Sequence, residues 1–493
     1  MNPTVASAPP GRRSIDRKLL ILLAAIALML VIHVLPAPAP LVRAGNPIPL
    51  TTNGKSCLAI LALAVTLWVT ETLPFAVTSL LVVVLVPLFG IANYRAVVSA
   101  GFGDPVITFL IGALMLSSAF TRSGLGTRMV YRMLLVVGTR TDRVLLGFLV
   151  VGTFISMWIS DIAVAAMLLP IAASVLHDGG FRPRESNFGR ALMISVAFGP
   201  LIGGIATPAG TAANLVAIAQ LAQLAGVQIS FGKWMAYGVP ASLLMVPLAW
   251  RLLLWLFPPE IERLSLAPAE IGRRLRDLGP LRRVERCTLL IFLAVIFIWL
   301  TTPVLSAWTS GRLAPPLEAV ALTGGICLFV PGVRVLTWKE AEQDIEWGGV
   351  MLIVAGLSLG LAVYETGAAR WLAWLLLGKI TAVTNLLRPV VIVLAVAGLH
   401  MMFSSNTVTA SVIIPILIAL STDLHLDAWT TVAPAAFTSS LAFILVSEGP
   451  TTIIPYGAGY FSIKEMAKAG VAMTVAAALC VAISVAVVRL VLP

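Results

Sequence analysis

Long apolar runs separated by short polar connections make up most of this chain, and within the runs the hydrophobic positions are continuous rather than alternating. Many runs approach the ~20 residues an α-helix needs to cross a bilayer. The pattern predicts spanning helices at about 19–35, 56–70, 75–92, 105–121, 190–221, 235–257, 288–305, 317–331, 347–364, 428–456 and 466–492. A membrane β-barrel would need period-two alternation, which these runs do not show. Two further apolar stretches, about 143–176 and about 388–421, are each longer than one crossing and carry a polar phrase near the middle. That predicts a re-entrant hairpin in each, with its tip at membrane depth, where irregular backbone is tolerated only when buried in protein or facing water.

The two polar phrases are versions of one another. Ser160-Asp161-Ile162 lies in MWISDIAVAAMLLPIA and Ser405-Asn406-Thr407 in MFSSNTVTASVIIPIL, and the closing prolines, Pro170 and Pro415, keep the same separation of 245 residues. Upstream, LSSAFTRSGLGTRM parallels SLGLAVYETGAARW, with Ser123-Gly124 and Thr366-Gly367 separated by 243. The first hairpin follows four predicted crossings and the second follows nine, and an odd difference brings the second in from the opposite face. The expected architecture is an all-α polytopic membrane protein of about 11 transmembrane helices plus two re-entrant hairpins, in two inverted repeats of the kind secondary transporters use. Its parts are an N-terminal tail, first helix and connection (1–54), repeat 1 (55–257), a basic linker (258–287) and repeat 2 (288–493).

After its hairpin, each repeat has a second irregular element. In the first it is GGIATPAGTAAN, Gly203 to Asn214, and in the second SEGPTT, Ser447 to Thr452. Inside an unbroken helix each Gly costs about 1 kcal/mol and each Pro about 3 kcal/mol relative to Ala. Broken spanning helices at about 190–221 and about 428–456 follow. Their free N–H groups suit an anion and their free carbonyls a cation. A kinked packing helix with small residues for close approach is the plainer account of either segment alone, but four such elements in a repeated order favour a site.

Composition agrees with the pattern. The chain is 59% hydrophobic and 11% charged, against about 25% charged in soluble domains. The net charge of +11 would suggest a nucleic-acid partner in a soluble protein. Here the arginines cluster in loops, so the lipid bilayer and the positive-inside rule account for them. Arg263, Arg273, Arg274, Arg276, Arg282, Arg283 and Arg286 place the linker in the cytoplasm. Six predicted crossings separate it from a cytoplasmic N-terminus, and eleven put the C-terminus outside. Arg122, Arg128, Arg132, Arg140 and Arg143 flank a short interfacial helix on the cytoplasmic side. Short loops and tails point to a bacterial inner membrane. Arg12, Arg13, Arg17 and Lys18 before an apolar tract resemble a signal peptide, but the tract ends in Pro-rich sequence without a cleavage site and reads as a retained first helix. Cys57, Cys287, Cys327 and Cys480 have no metal or disulfide spacing and read as packing residues. No nucleophile–base pair, metal-ligand cluster or nucleotide loop suggests an enzyme or a bound cofactor.

Taken together, FGDPVITFLIGALMLSSAFTRSGL, both hairpin phrases, GGIATPAGTAANL, DIEWGGVMLIVAGLSLGLAVYETG and IIPYGAGYFSIKEMAKAG resemble the divalent anion/sodium symporters over nearly the whole chain. That resemblance implies a transporter of di- or tricarboxylates or sulfate. It implies a scaffold domain, a transport domain made of both hairpins and the broken helices after them, an elevator movement, and a homodimer. The family's Ser-Asn-Thr at each tip holds sodium and substrate carboxylates. Ser405, Asn406 and Thr407 match it, while in the first hairpin only Ser160 does, with Asp161 and Ile162 in place of Asn and Thr. In the first broken helix Gly210, Thr211 and Asn214 match the usual Gly-Thr-Pro-Pro-Asn, with Ala212 and Ala213 for the prolines. In the second, Glu448-Gly449-Pro450-Thr451-Thr452 replaces Ala-Thr-Pro-Pro-Asn and retains only Pro450.

The substrate-binding set expected from this is Ser160, Asp161, Ser405, Asn406, Thr407, Gly210, Thr211, Asn214, Pro450, Thr451 and Thr452. The cation-coupling set is Ser156, Ser160, Asp161, Gly203, Ser405, Asn406 and Glu448, with Na+ at Ser160, Asp161, Ser405 and Asn406. A threonine hydroxyl donates to an oxyanion and isoleucine cannot. A carboxylate at Asp161 repels the near carboxylate of a dicarboxylate by about 4 kcal/mol at ~4 Å and an effective dielectric near 20. Either a cation neutralises Asp161, or a proton does, or the substrate differs. Glu448 raises the same question, because ionisable groups at membrane depth mark ion pathways. Coupling to Na+, coupling to H+ and ion-independent exchange therefore all stay open, and an anion channel is the reading from another class. His400 reads as a packing histidine or a proton relay, Asp104 and Glu365 as helix-end residues, Trp158 and Phe403 as wedges at the tips, and Arg122 as a cytoplasmic anchor.

Overall fold

A computed structural model describes residues 12–43, 46–264, 268–310, 312, 314–378, 380 and 383–491; the first eleven residues of the expected N-terminal tail lie outside the described residues. The helices are α1 (Arg12–Val34), α2 (Thr52–Thr70), α3 (Phe75–Leu88), α4 (Tyr94–Gly101), α5 (Pro105–Ser123), α6 (Leu125–Val137), α7 (Thr141–Ser156), α8 (Asp161–Asp178), α9 (Asn187–Gly204), α10 (Ala212–Ala225) and α11 (Phe231–Leu256). They continue as α12 (Pro268–Asp277), α13 (Arg283–Trp308), α14 (Leu317–Cys327), α15 (Trp338–Asp344), α16 (Trp347–Glu365), α17 (Ala368–Leu377), α18 (Arg388–His400), α19 (Asn406–Asp423), α20 (Ala428–Thr438), α21 (Pro450–Tyr456) and α22 (Ile463–Val491). The fold is all-α apart from a two-stranded antiparallel ribbon, β1 (Leu41–Arg43) with β2 (Asn46–Ile48), between α1 and α2. Nine helices among the described residues are long and apolar enough to cross a membrane.

Capping explains many of the helix starts. Thr51, Asn93, Asp104, Ser186, Ser230, Thr337 and Asp427 each accept a first-turn N–H with a side-chain oxygen, which supplies a partner for a group the helix leaves open. Asp104 also accepts from Gln223 at 2.7 Å, so the helix-end role expected for it is the one it has. The sequence pattern had not resolved α4, α12, α15 and α17, which are short and amphipathic or partly polar.

Burial sorts the helices. Every residue of α9 from Ala191 onward is buried, and so is most of α19. In contrast, α1 and α13 turn much of their length outward, with Leu20, Leu23, Leu290, Leu293 and Phe297 all more than half exposed. Apolar side chains on an outer surface suit lipid rather than water.

Two anchored ends fix how the hairpins are held. The base of α7–α8 sits on the linker: Thr141 Oγ1 donates to the Ile261 carbonyl at 2.8 Å, and Arg274 pairs with Asp178 at 2.7 Å. The start of α22 lies at the same end, where Glu465 pairs with Arg190 at 2.7 Å and Glu260 accepts the Phe188 N–H. The far end of α22, at Arg489, shares a small pocket with the base of α18–α19. These ends are separated by the 29 residues of α22, which is ~43 Å of helix.

A buried ion pair holds α6 against α13. The Arg128 guanidinium donates to both Glu285 oxygens at 2.8 and 3.0 Å and to the Gly279 carbonyl at 2.9 Å. Nearby, Arg122 donates to Asp344 at 2.5 and 2.8 Å and holds that carboxyl below the usual range. The anchor expected at Arg122 is thus an anchor onto α15.

Candidate functional site

Both hairpin tips are built the same way. After α7, residues 157–160 turn, and α8 starts at Asp161 with Ser160 offering no side-chain cap. After α18, residues 401–405 turn, and α19 starts at Asn406 with Ser405 offering none either. Each tip therefore presents a helix N-terminus with first-turn N–H groups left for a ligand, although in the first tip Asp161 itself takes the Ile162 N–H.

The broken helices lie beside the tips. Residues 205–211 interrupt α9 and α10, and residues 439–449 interrupt α20 and α21, with one turn of 3₁₀ helix at Val446–Glu448. Asn214 stitches the first break, its Nδ2 donating to the Gly204 and Thr207 carbonyls at 2.7 and 2.8 Å. Thr452, which stands where the second motif would place its asparagine, does the same there, donating to Val446 and Gly449 at 2.8 and 2.7 Å. These two side chains support the loops from behind and do not line the cavity in front of them. Glu448 is also turned inward on its loop, accepting the Ile444 and Leu445 N–H groups at 3.2 and 3.0 Å.

The two halves meet at Asp161. Its Oδ2 accepts from Thr451 Oγ1 at 3.1 Å and lies 3.5 Å from Asn406 Nδ2, while Oδ1 accepts the Ile162 N–H at 3.0 Å. Thr451 replaces a proline of the motif, and Asp161 an asparagine, so two departures far apart in sequence form one contact. Asp161 is 3% exposed, and among the described residues no cationic side chain pairs with it. Ser404 Oγ and Asn406 Oδ1 are shielded from solvent without a hydrogen-bond partner.

In front of these groups is a cavity of about 330 Å³. The tips contribute Ser160, Asp161, Ile162, Ser404, Ser405, Asn406 and Thr407, and the breaks contribute Thr211, Ser447, Pro450 and Thr451. The facing wall comes from α2, α3, α5 and α16, with Phe75, Leu110, Leu114 and Val350. Glu71 and Glu346 add two carboxylates, and among the described residues no Lys, Arg or His lines the space. Glu71 lies beside Lys18, which donates to its carbonyl, and Glu346 follows Asp344, the partner of Arg122. Hydroxyl, amide, carbonyl and carboxylate oxygens at the tips are the donors a hard cation takes.

Gly203, Gly210 and Ser156 work one layer behind. Ser156 Oγ donates to the Pro200 carbonyl at 2.8 Å. A Cβ on Gly210 would meet the Gly204 carbonyl oxygen at 2.4 Å, and one on Gly203 would meet that of Thr153 at 2.1 Å. The obstacle at Gly203 is backbone, so no rotamer relieves it. Gly203→Ala is expected to cost ~1–3 kcal/mol by overpacking, more than the ~1 kcal/mol helix propensity returns. A lower thermal midpoint of the purified protein would register this; an unchanged or raised midpoint would refute it.

Other singled-out residues find local roles. Trp158 stacks on Phe231 (centroids 6.4 Å), Phe231 on Trp299 (4.6 Å) and Trp299 on Phe109 (5.4 Å), an aromatic row from the first tip to α5. His400 and Phe403 are buried. Ser404, Glu71 and Glu346 join the expected residues at the cavity; the hydroxyl next to the second phrase was the signal for Ser404, Glu346 lay inside the segment DIEWGG without a role of its own, and no local pattern marked Glu71.

The family described as the sodium:sulfate symporter transmembrane region matches residues 16–491. A sodium-dependent dicarboxylate transporter, SdcS, of Staphylococcus saprophyticus is 32% identical over 446 residues, covering 86% of this chain and 84% of that protein. The SdcS of Staphylococcus aureus is 30% identical over 445 residues with the same coverage. Among solved structures, the Alcanivorax borkumensis YdaH transporter aligns with a TM-score of 0.58 at 15% identity, over 96% of this chain and 98% of that one. Neisseria gonorrhoeae MtrF aligns with 0.55 at 11%, over 95% and 94%. At those identities the two structures speak for the fold alone.

Proposed function

This chain belongs to the sodium:sulfate symporter family and is a multi-pass membrane transporter, and from that premise we propose that it carries a small divalent anion, dicarboxylate or sulfate-like, in symport with Na+. The observation that carries the proposal is the convergence of all four irregular elements on one cavity whose buried charge is the unpaired carboxylate of Asp161. The relatives named sodium-dependent dicarboxylate transporters favour Na+.

The chemistry follows from charge. Two uncapped helix N-termini and the Ser405, Asn406 and Thr407 donors attract an anion. Asp161 opposes each anionic charge at ~4 Å by about 4 kcal/mol at an effective dielectric near 20, and a cation at the tips offsets that repulsion. Substrate and cation then bind best together, which is the differential affinity that coupling requires. Ile162 removes a hydroxyl donor from the first tip, so the substrate's hydrogen bonds come mainly from the second.

Movement is part of the proposal. The cavity lies between the hairpins with their broken helices on one side and α2, α3, α5 and α16 on the other. Sliding the first group past the second would carry the cavity across the membrane as an elevator, with a homodimer steadying the fixed helices. What supports inverted, re-entrant hairpins is the placement of their bases at opposite ends of α22 while their tips meet. With the linker and N-terminus cytoplasmic in a bacterial inner membrane, Glu71 and Glu346 mark an inward-facing mouth.

One observation favours a second reading. A buried carboxylate without a basic partner is equally neutralised by a proton, so proton coupling at Asp161 is the competitor. Uptake of labelled succinate and sulfate into proteoliposomes, with sodium and pH gradients imposed separately, decides. Sodium-driven uptake is the expected result. Uptake driven only by the proton gradient would transfer the coupling role to the proton, and exchange needing neither gradient would overturn symport.

A further inference from the structure

The base of the second hairpin carries a small, basic pocket that shares no lining residue with the cavity between the tips. It encloses about 70 Å³ between the starts of α18 and α20 and the end of α22, lined among others by Asn385, Arg388, Asp427, Thr430, Thr431 and Arg489. Arg388 makes one long hydrogen bond, to the Val383 carbonyl at 3.4 Å, and its Nε is buried without a partner. Among the described residues the Arg489 side chain has neither an ion pair nor a hydrogen bond. Asp427 is the acid present, and one of its oxygens caps α20 at the Thr430 N–H, 2.7 Å away. Two guanidiniums against one carboxylate leave the pocket positive.

Backbone adds to that charge. The starts of α18 and α20 both border this space and turn two positive dipole ends toward it; the Arg388 N–H is taken by the Thr384 carbonyl at 3.0 Å and Asp427 caps α20, so the guanidiniums are the donors left for a ligand. The surroundings are apolar and outward-turned: Leu386 is 71% exposed, Leu387 54%, Leu490 84% and Val491 70%. A polar pocket of this sign beside lipid-facing leucines sits where acyl chains give way to headgroups.

We propose that this pocket is a binding site for a phosphate group, supplied by an anionic phospholipid headgroup or by free phosphate. The planar guanidiniums of Arg388 and Arg489 match phosphate oxygens by charge-assisted hydrogen bonds. An occupant braces the hairpin base against α20 and α22. The site is separate from the transport cavity, and its fate does not depend on the transported substrate.

The test is the thermal midpoint of the purified full-length chain in detergent, titrated with dioleoylphosphatidylglycerol, with dioleoylglycerol (the same acyl chains without phosphate), or with millimolar inorganic phosphate. The expected result is a rise with the phospholipid and none with dioleoylglycerol. Arg489→Gln, which gives up no side-chain hydrogen bond or ion pair among the described residues, should erase most of that rise, as should Arg388→Gln. Arg95→Gln, an exposed charge on α4, and Thr407→Ala, in the transport cavity, should keep it. An Arg489-dependent rise with inorganic phosphate as well would identify a free oxyanion as sufficient; a rise with the phospholipid alone would identify the lipid. No rise with either phosphate compound, or an equal rise in Arg489→Gln and wild type, would overturn the site.

Discussion

Asp161→Asn should reduce the factor by which the coupling cation raises substrate affinity by up to about 10³. The carboxylate is buried and, among the described residues, pairs with no cationic side chain; its repulsion of a single anionic charge, such as one substrate carboxylate, is about 4 kcal/mol at ~4 Å and an effective dielectric near 20. Amide for carboxylate removes that repulsion and the matching attraction for the cation, while an oxygen remains to accept from Thr451 Oγ1, now at 3.1 Å. Binding of substrate without cation should strengthen, and the added benefit of cation should shrink. Asp161→Ala should do worse, because Thr451 loses its acceptor inside the site, where an orphaned polar group costs ~1–3 kcal/mol. Initial uptake rates against sodium concentration at fixed substrate will show this; an unaltered sodium dependence in Asp161→Asn would remove Asp161 from the coupling mechanism.

Arg128→Ala should be the most destabilising single change outside the cavity, by about 3–5 kcal/mol. The side chains of Arg128 and Glu285 are 5% and 2% exposed, so removing the guanidinium strands a buried carboxylate and leaves the Gly279 carbonyl without a donor. The paired change Arg128→Met with Glu285→Leu should cost much less, since removing both charges also removes their desolvation cost. The thermal midpoints of the two variants order the effects. If Arg128→Ala were no less stable than the double variant, the pair would not be holding α6 to α13.

The elements legible in the sequence were those where helix chemistry is violated inside an apolar run. Pro and Gly in 203–214 disclosed the break at 205–211, and the two polar phrases disclosed the tips at Asp161 and Asn406; the segment 447–452 marked only the end of the second break, which begins at Ser439, and its Pro450–Thr452 already belong to α21. What the residues do once folded was less legible. Asn214 and Glu448 belong to the motifs, yet their side chains serve loop backbone, because a broken helix must first pair its own carbonyls and N–H groups. Ser404, Glu71 and Glu346 reach the cavity through tertiary packing, for which no local pattern exists. Arg128 read as one of several membrane-flanking arginines; only its partner 157 positions away makes it a buried clamp. The contact between Asp161 and Thr451 is the clearest instance: each departure looked like a loss by itself, and together they are a hydrogen bond between repeats.

The anion and its cation are proposed to bind in the cavity between the tips. Single cysteines at Ala209 and Ser404, one facing the cavity from each repeat, in a background with the four native cysteines replaced, test it through their rate of reaction with a membrane-impermeant thiol reagent applied to the purified protein. The account predicts that succinate or sulfate together with Na+ slows modification at both positions at least tenfold, and that either component alone does much less. Modification at the same rate with and without anion and sodium, in a protein that still transports, would contradict it.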